Sequence, residues 1–157
     1  MRQFNVVVSE PEALRGVHLH FDHTDHLIMV HGQAVIGLHD CRLHSPTFRS
    51  SATVILSNGD RLLSIPPGVA HGFWMPDGGT LVYGLDTEWT PADELGCAWD
   101  DPDLAIDWSP HGGRSPLDVA GGPNLSGRDR DAGPLRVMLD RFNLDPHDRR
   151  SAVGTDD

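Results

Sequence analysis

The sequence predicts an all-β sandwich or barrel, and three observations lead there. Seventeen glycines and twelve prolines break the chain into short apolar runs. Several of those runs alternate with a period of two, as strands with one covered face do. Turn-forming stretches recur between them, the pattern of a sandwich or a closed barrel.

The elements follow in order. "FNVVVS" (4–9) reads as a strand. "GVHLHF" (16–21) alternates strictly, with Val17, Leu19 and Phe21 on one face and His18 and His20 on the other. "LIMV" (27–30), a turn at "HGQ" and "AVIGL" (34–38) predict a hairpin. "SATVILS" (51–57), "NGD" and "RLLSIP" (61–66) predict a second, because Asn-Gly supplies the positive φ angles of a tight turn. "HGFWM" (71–75) and "TLVYGLDTEW" (80–89), separated by "PDGG", add two strands. Residues 109–124 read as a long loop. Only "PLRVMLDRF" (134–142) has helical spacing, with Leu135, Met138, Leu139 and Phe142 on one face. The reading is one domain over 1–142 and a disordered tail over 143–157.

Composition narrows the function. A formal charge of −11 argues against nucleic acid or an anionic membrane as partner, yet a local arginine can still bind one phosphate. All twelve basic residues are arginine, which excludes Schiff-base chemistry on a lysine. Cys41 and Cys97 stand far apart without a CxxC spacing and read as reduced thiols of a cytosolic protein. The N-terminus lacks a signal-peptide pattern, and no apolar run approaches the roughly 18 residues of a membrane helix.

Within "RGVHLHFDHTDHL" (15–27), His18, His20, His23 and His26 fall within nine residues. If His18 and His20 share the inward face of a barrel, its interior is polar and holds a ligand cavity. Taken singly, each candidate has a plainer reading. A histidine on an alternating strand is more often a satisfied polar residue, Tyr83 a packing aromatic, Asp129 a solvated loop charge and Arg15 a surface charge.

Six stretches in register change that. "LRGVHLH" (14–20), "CRLHSPTF" (41–48), "IPPGVAHGF" (65–73), "LVYGLDTEWTP" (81–91), "WDDPDLAIDW" (99–108) and "LSGRD" (125–129) occur in the order seen in the dTDP-4-dehydrorhamnose 3,5-epimerases, which this chain resembles from about residue 4 to residue 142. The resemblance implies a cupin double-stranded β-helix, or jelly roll, with a short C-terminal helix. It implies inversion of C3, C5 or both in a nucleotide-linked 4-keto-6-deoxyhexose, without metal or other cofactor, by a cytoplasmic homodimer. Carried over, His18 is the base, Asp129 its partner and Tyr83, the only tyrosine, the acid on the opposite face. Arg15 would meet the diphosphate, and His20, His26, His71 and Trp89 would contact substrate.

The departures from the family pattern are specific. An N-terminal segment with an Asp-Glu-Arg-Gly run, which helps bind nucleotide, has no counterpart among these residues. His26 stands for a lysine, Ile36 for the acidic partner of His71, Val7 for an asparagine, and Trp89 for a second aromatic. The reaction type is therefore better supported than the substrate.

The chemistry is coherent by itself. Removing a proton beside a ketone needs a base poised near neutral pH and a group that stabilises the enolate. Histidine has the right range, a carboxylate on its far nitrogen fixes the tautomer, and inversion needs a donor on the other face. Two alternatives remain. Metal-binding cupins use histidines spaced HxH and another after a "PxG" turn, so His18, His20, His26 and His71 could hold zinc, iron, nickel or copper. A non-catalytic sugar-binding cupin would keep the fold and Arg15 without needing the trio.

Overall fold

The computed structural model describes residues 1–90 and 94–143; the predicted tail lies almost wholly outside them. Eight antiparallel strands build the domain: β1 (Gln3–Ser9), β2 (Ala13–His20), β3 (Asp25–Asp40), β4 (Ser51–Ser57), β5 (Leu63–Ile65), β6 (Val69–Met75), β7 (Gly79–Leu85) and β8 (Glu94–Gly96). Helices α1 (Gly127–Arg130) and α2 (Leu135–Asn143) follow. The strands form one curled sheet in the order β1-β7-β3-β6-β2-β8, with β4 and β5 also on β3. No helix of the described residues is long and apolar enough to cross a membrane.

β3 makes the sheet curl. Its first half pairs with β7 and β5, and its second half with β4 and β6. Consecutive strands therefore alternate between two walls, which is the logic of a jelly roll. The predicted hairpin across "HGQ" is absent: 27–30 and 34–38 are one strand, bent where the register shifts between Met29 and His31. Gly32 makes that bend at φ +83°, and a side chain there would lie 2.8 Å from the Gly78 carbonyl. The turn at Asn58-Gly59 forms, but its flanking strands pair with different halves of β3 instead of with each other.

The interior is divided. Leu27, Met29, Ala34, Ile36, Leu56, Ile65, Met75 and Leu81 pack as an apolar core between the walls. A second core lies outside the β2 wall, where Val17, Leu19, Trp74, Trp99 and Trp108 meet Leu135, Met138 and Leu139 of α2. The predicted helix face is the buried one, and Phe142 stacks on Phe21 with ring centroids 5.4 Å apart. The predicted loop 109–124 carries two short 3-10 turns and no strand. Because Val17 and Leu19 face the outer core, the alternation of β2 turns His18 and His20 inward.

β2 and β6 approach unusually closely. A side chain on Gly16 would lie 2.7 Å from the Gly72 Cα, and one on Gly72 2.7 Å from the Arg15 carbonyl. The register shifts there, and His18 comes to lie opposite His71.

Candidate active site

The inward strand faces that carry the apolar core also line a cavity of about 460 Å³, which Leu27 and Leu81 of that core border. His18 and His20 enter from β2, Asp25 from β3, His71 from β6 and Tyr83 from β7. Register places Tyr83 between Asn5 and Leu27, and Glu94 opposite His20. Arg15, Trp89, Glu94 and Arg128 also line it, together with Gln3, Asn5 and His23. Of the sequence candidates, His18, His20, His71, Tyr83, Arg15 and Trp89 line this one space, and Asp129 reaches it through His18.

His18 Nε2 lies 2.6 Å from Asp129 Oδ1. The other Asp129 oxygen accepts a hydrogen bond from the Ser126 hydroxyl at 2.7 Å. Ser126 caps the single turn α1, and its oxygen accepts from the Asp129 amide at 3.1 Å, so the local chain holds the carboxylate in place. Burial pushes the Asp129 carboxyl up, but His18, Ser126 and Arg128 outweigh it and hold it below the usual range. The short bond assigns the Nε2 proton of His18 to Asp129 and leaves Nδ1 as the basic nitrogen.

Arg128 lies against the same imidazole, 3.0 Å from Nε2, and forms an ion pair with Glu94. Glu94 also accepts from Trp89 Nε1 at 2.6 Å, which fixes the indole at the rim. Arg15 spends Nη1 on the carbonyls of Leu14 and Asn124, at 2.7 and 2.6 Å. Tyr83 is half-buried; burial raises its hydroxyl, and the charges of Asp25 and Glu94 add to the effect.

The other side of the cavity departs from expectation. His26 does not enter it. Its Nδ1 bonds Ser64 Oγ on β5 at 2.8 Å, and Asp25 is the inward residue, because neighbours on a strand point to opposite faces. His26 therefore substitutes for no cationic lysine in the cavity and cannot join His18, His20 and His71 as a metal ligand. Nor has His71 lost its acidic neighbour through Ile36: Asp25 Oδ2 lies 3.5 Å from His71 Nε2. The same oxygen is 3.4 Å from His20 Nε2 and 3.6 Å from His23 Nε2. Burial pushes the Asp25 carboxyl up to about 6, against the pull of His23. It pushes the His71 imidazole down to about 4, against the bond from Nδ1 to the Val69 carbonyl.

Asp25, His23, Glu94 and Arg128 were missed as site residues. Extending the alternation of "LIMV" back by one strand pair would have put Asp25 beside Leu27 on the inward face. Nothing local marks Glu94 or Arg128 except that Arg128 adjoins Asp129.

Comparison with known proteins fits this geometry. The family model for dTDP-4-dehydrorhamnose 3,5-epimerase matches residues 1–136. The dTDP-4-dehydrorhamnose 3,5-epimerase of Methanothermobacter thermautotrophicus is 32% identical over 138 residues, covering 85% of this chain and 71% of that protein. A 3'-monoepimerase of Streptomyces bikiniensis, solved with dTDP-quinovose, superposes with TM-score 0.76 and 30% identity, covering 96% of this chain and 74% of that one. A dTDP-6-deoxy-D-glucose-3,5-epimerase of Legionella pneumophila, solved with dTDP-4-keto-L-rhamnose, gives TM-score 0.75 and 29% identity over 89% of this chain and 72% of that one.

Proposed function

The chain belongs to the dTDP-4-dehydrorhamnose 3,5-epimerase family, and from that premise we propose an epimerase that inverts C3, C5 or both in a dTDP-linked 4-keto-6-deoxyhexose, with His18, Asp129 and Tyr83 as its proton-transfer groups. The observation that carries the assignment is the 2.6 Å contact of His18 with a buried carboxylate, inside a cavity that Tyr83 also lines.

His18 Nδ1 takes the proton from the carbon beside the C4 ketone. The C–H electron pair becomes the enolate double bond, and charge collects on the C4 oxygen. Asp129 stabilises the imidazolium that results. Tyr83 then gives its hydroxyl proton to the same carbon from the opposite face, and the enolate collapses to the inverted ketone. Solvent reprotonates the tyrosinate and takes the proton from His18. Arg15 and Arg128 supply positive charge for the diphosphate, and the Trp89 indole offers a face for the nucleobase.

Incubation with a dTDP-4-keto-6-deoxyhexose in D2O tests this. Wild type is expected to place deuterium at the inverted carbon, and NMR assigns that carbon as C3 or C5. Tyr83→Phe is expected to keep exchange, because His18 can return a deuteron to its own face, while net inversion falls by about 100-fold or more. Inversion at the wild-type rate would make Tyr83 a packing residue. Absence of any α-exchange by wild type would leave a binding protein.

A homodimer fits the outer face of β1. Phe4, Val6 and Val8 are exposed there at 65, 66 and 77%, an apolar row that a second copy would cover. Sedimentation velocity is expected to show a dimer for wild type and a monomer for Val6→Asp; a monomeric wild type would refute it.

A further inference from the structure

The proton-transfer scheme leaves Asp25 unused, although it lines the same cavity. Its side chain is 5% exposed, and an ionised carboxylate that deep is costly. Oδ2 lies 3.5 Å from His71 Nε2 and 3.4 Å from His20 Nε2, beyond the roughly 2.7–3.2 Å of a good N–H···O bond. His71 Nδ1 donates to the Val69 carbonyl at 3.1 Å, so Nε2 of the neutral ring is an acceptor facing that oxygen. A proton on the carboxyl relieves both conflicts. It turns the carboxyl into a donor, and it removes the buried charge.

The surrounding groups permit it. Burial raises the Asp25 carboxyl to about 6; His23 opposes this, Glu94 assists, His18 opposes and Asp86 assists. The His71 imidazole, pushed down to about 4 by its own burial, competes poorly for the proton. Tyr83 stays neutral, because burial raises its hydroxyl as well.

Position makes the acid useful. His71 lies opposite His18 in the β2–β6 register, and Asp25 stands two residues from Leu27, the register partner of Tyr83. The inward row therefore runs His18, His71, Asp25, Tyr83. Base and proton donor address opposite faces of the reacting carbon. The plane of the enolate lies between them, and its C4 oxygen points sideways, along that plane. The sugar ring decides which way. In a hexopyranose C4 stands across the ring from C1, which carries the diphosphate. Arg128 and Trp89, placed for the diphosphate and the nucleobase, are exposed at the rim, whereas Asp25 is buried. With the nucleotide at the rim, the C4 oxygen is directed to the closed end.

We propose that Asp25 is a further catalytic residue, a neutral carboxylic acid that donates a hydrogen bond to the C4 oxygen as charge gathers there. The proposal rests on the epimerase reading. Asp25 keeps its proton throughout: the α-proton goes to His18, the new proton comes from Tyr83, and the C–H electron pair is held meanwhile on the oxygen that Asp25 contacts. A donor aimed at developing charge in a buried site acts on the transition state more than on the bound ketone. The 3.5 Å gap to His71 leaves the proton free to turn to substrate.

The test measures α-deuterium exchange on a dTDP-4-keto-6-deoxyhexose by the full chain. Asp25→Leu has no donor and should lower kcat by about 100-fold or more, with KM within about threefold of wild type. Asp25→Asn keeps an N–H donor that does not titrate, and its exchange should stay within about tenfold of wild type. The pH profile is the sharper readout. The acid form is the active one, so wild-type kcat should fall as pH rises above about 6, and Asp25→Asn should lose that fall. Binding of dTDP at wild-type affinity shows that each variant is folded. Wild-type kcat in Asp25→Leu, or the same alkaline fall in Asp25→Asn, would overturn the role of Asp25 and leave the epimerase standing. Absence of exchange by wild type on any ketosugar would overturn the epimerase reading and this role with it.

Discussion

Asp129 and Asp25 are both buried carboxylates facing histidines at one cavity, 4% and 3% exposed. Asp129 receives a hydrogen bond at 2.6 Å from His18 and another from Ser126. Asp25 has three imidazole nitrogens around one oxygen at 3.4 to 3.6 Å. The environments push the two acids apart: Asp129 is held below the ordinary range, and Asp25 is raised to about 6. The difference teaches that residue type does not assign a role. A carboxylate bonded at 2.6 Å holds a neighbouring base in one tautomer; one whose oxygen stands 3.4 to 3.6 Å from three imidazoles ties none of them down through that oxygen.

The largest effect expected is on the first of these. Asp129→Asn should lower the α-exchange rate by about 10³–10⁴-fold, by releasing the tautomer and weakening the imidazolium. Proton NMR of the substrate in D2O measures it. A loss under about tenfold would mean that Asp129 only closes the turn at α1, and the contrast with Asp25 would collapse.

A third buried carboxylate calibrates the pair. Asp40 accepts from Arg42 Nε and Nη2 at 2.9 and 2.7 Å and from the hydroxyls of Ser45 and Thr47, both at 2.6 Å. The Arg42 bond holds its carboxyl far below the ordinary range, against the effect of burial. Because the folded pKa lies below the unfolded value of about 3.9, the unfolded chain takes up the proton first as pH falls. The stabilisation is therefore complete above about pH 5 and drains away in acid. Asp40→Asn is expected to cost about 3 kcal/mol at pH 7, and the gap from wild type should narrow at pH 3. Urea unfolding at the two pH values checks it; a gap that persists in acid would mean that shape, not charge, is what Asp40 supplies.

The smallest effects separate the two site carboxylates by stability alone. At pH 7, Asp129→Asn should lose about 2 kcal/mol, while Asp25→Asn should change stability by less than about 1 kcal/mol. Urea midpoints decide it. Equal losses would mean that Asp25 is as well bonded in solution as Asp129, and the contrast between the two carboxylates would go.

Much of this was legible before folding, for a reason that differs by residue. The all-β class followed from period-two runs. The inward turn of His18 and His20 followed because Val17 and Leu19 had to be covered. The buried face of α2 followed from the spacing of Leu135, Met138 and Leu139. Each of these is decided within a few residues, where strand or helix geometry alone says which side chains share a face. His18, Tyr83 and Asp129 came from motif order, since positions 18 and 129 have no local relation.

The tertiary structure decided the rest. The bend at Gly32 made one strand of a predicted hairpin, because pairing partners are chosen by sheet closure and not by the turn residues alone. The choice between Asp25 and His26 hung on strand parity, where a shift of one residue exchanges cavity for solvent. Glu94 and Arg128 became neighbours of His18 only when β8 and α1 closed over β2. Alternation along the chain determines what each side chain faces; which groups meet across the cavity depends on register between strands far apart in sequence, and no local pattern encodes that.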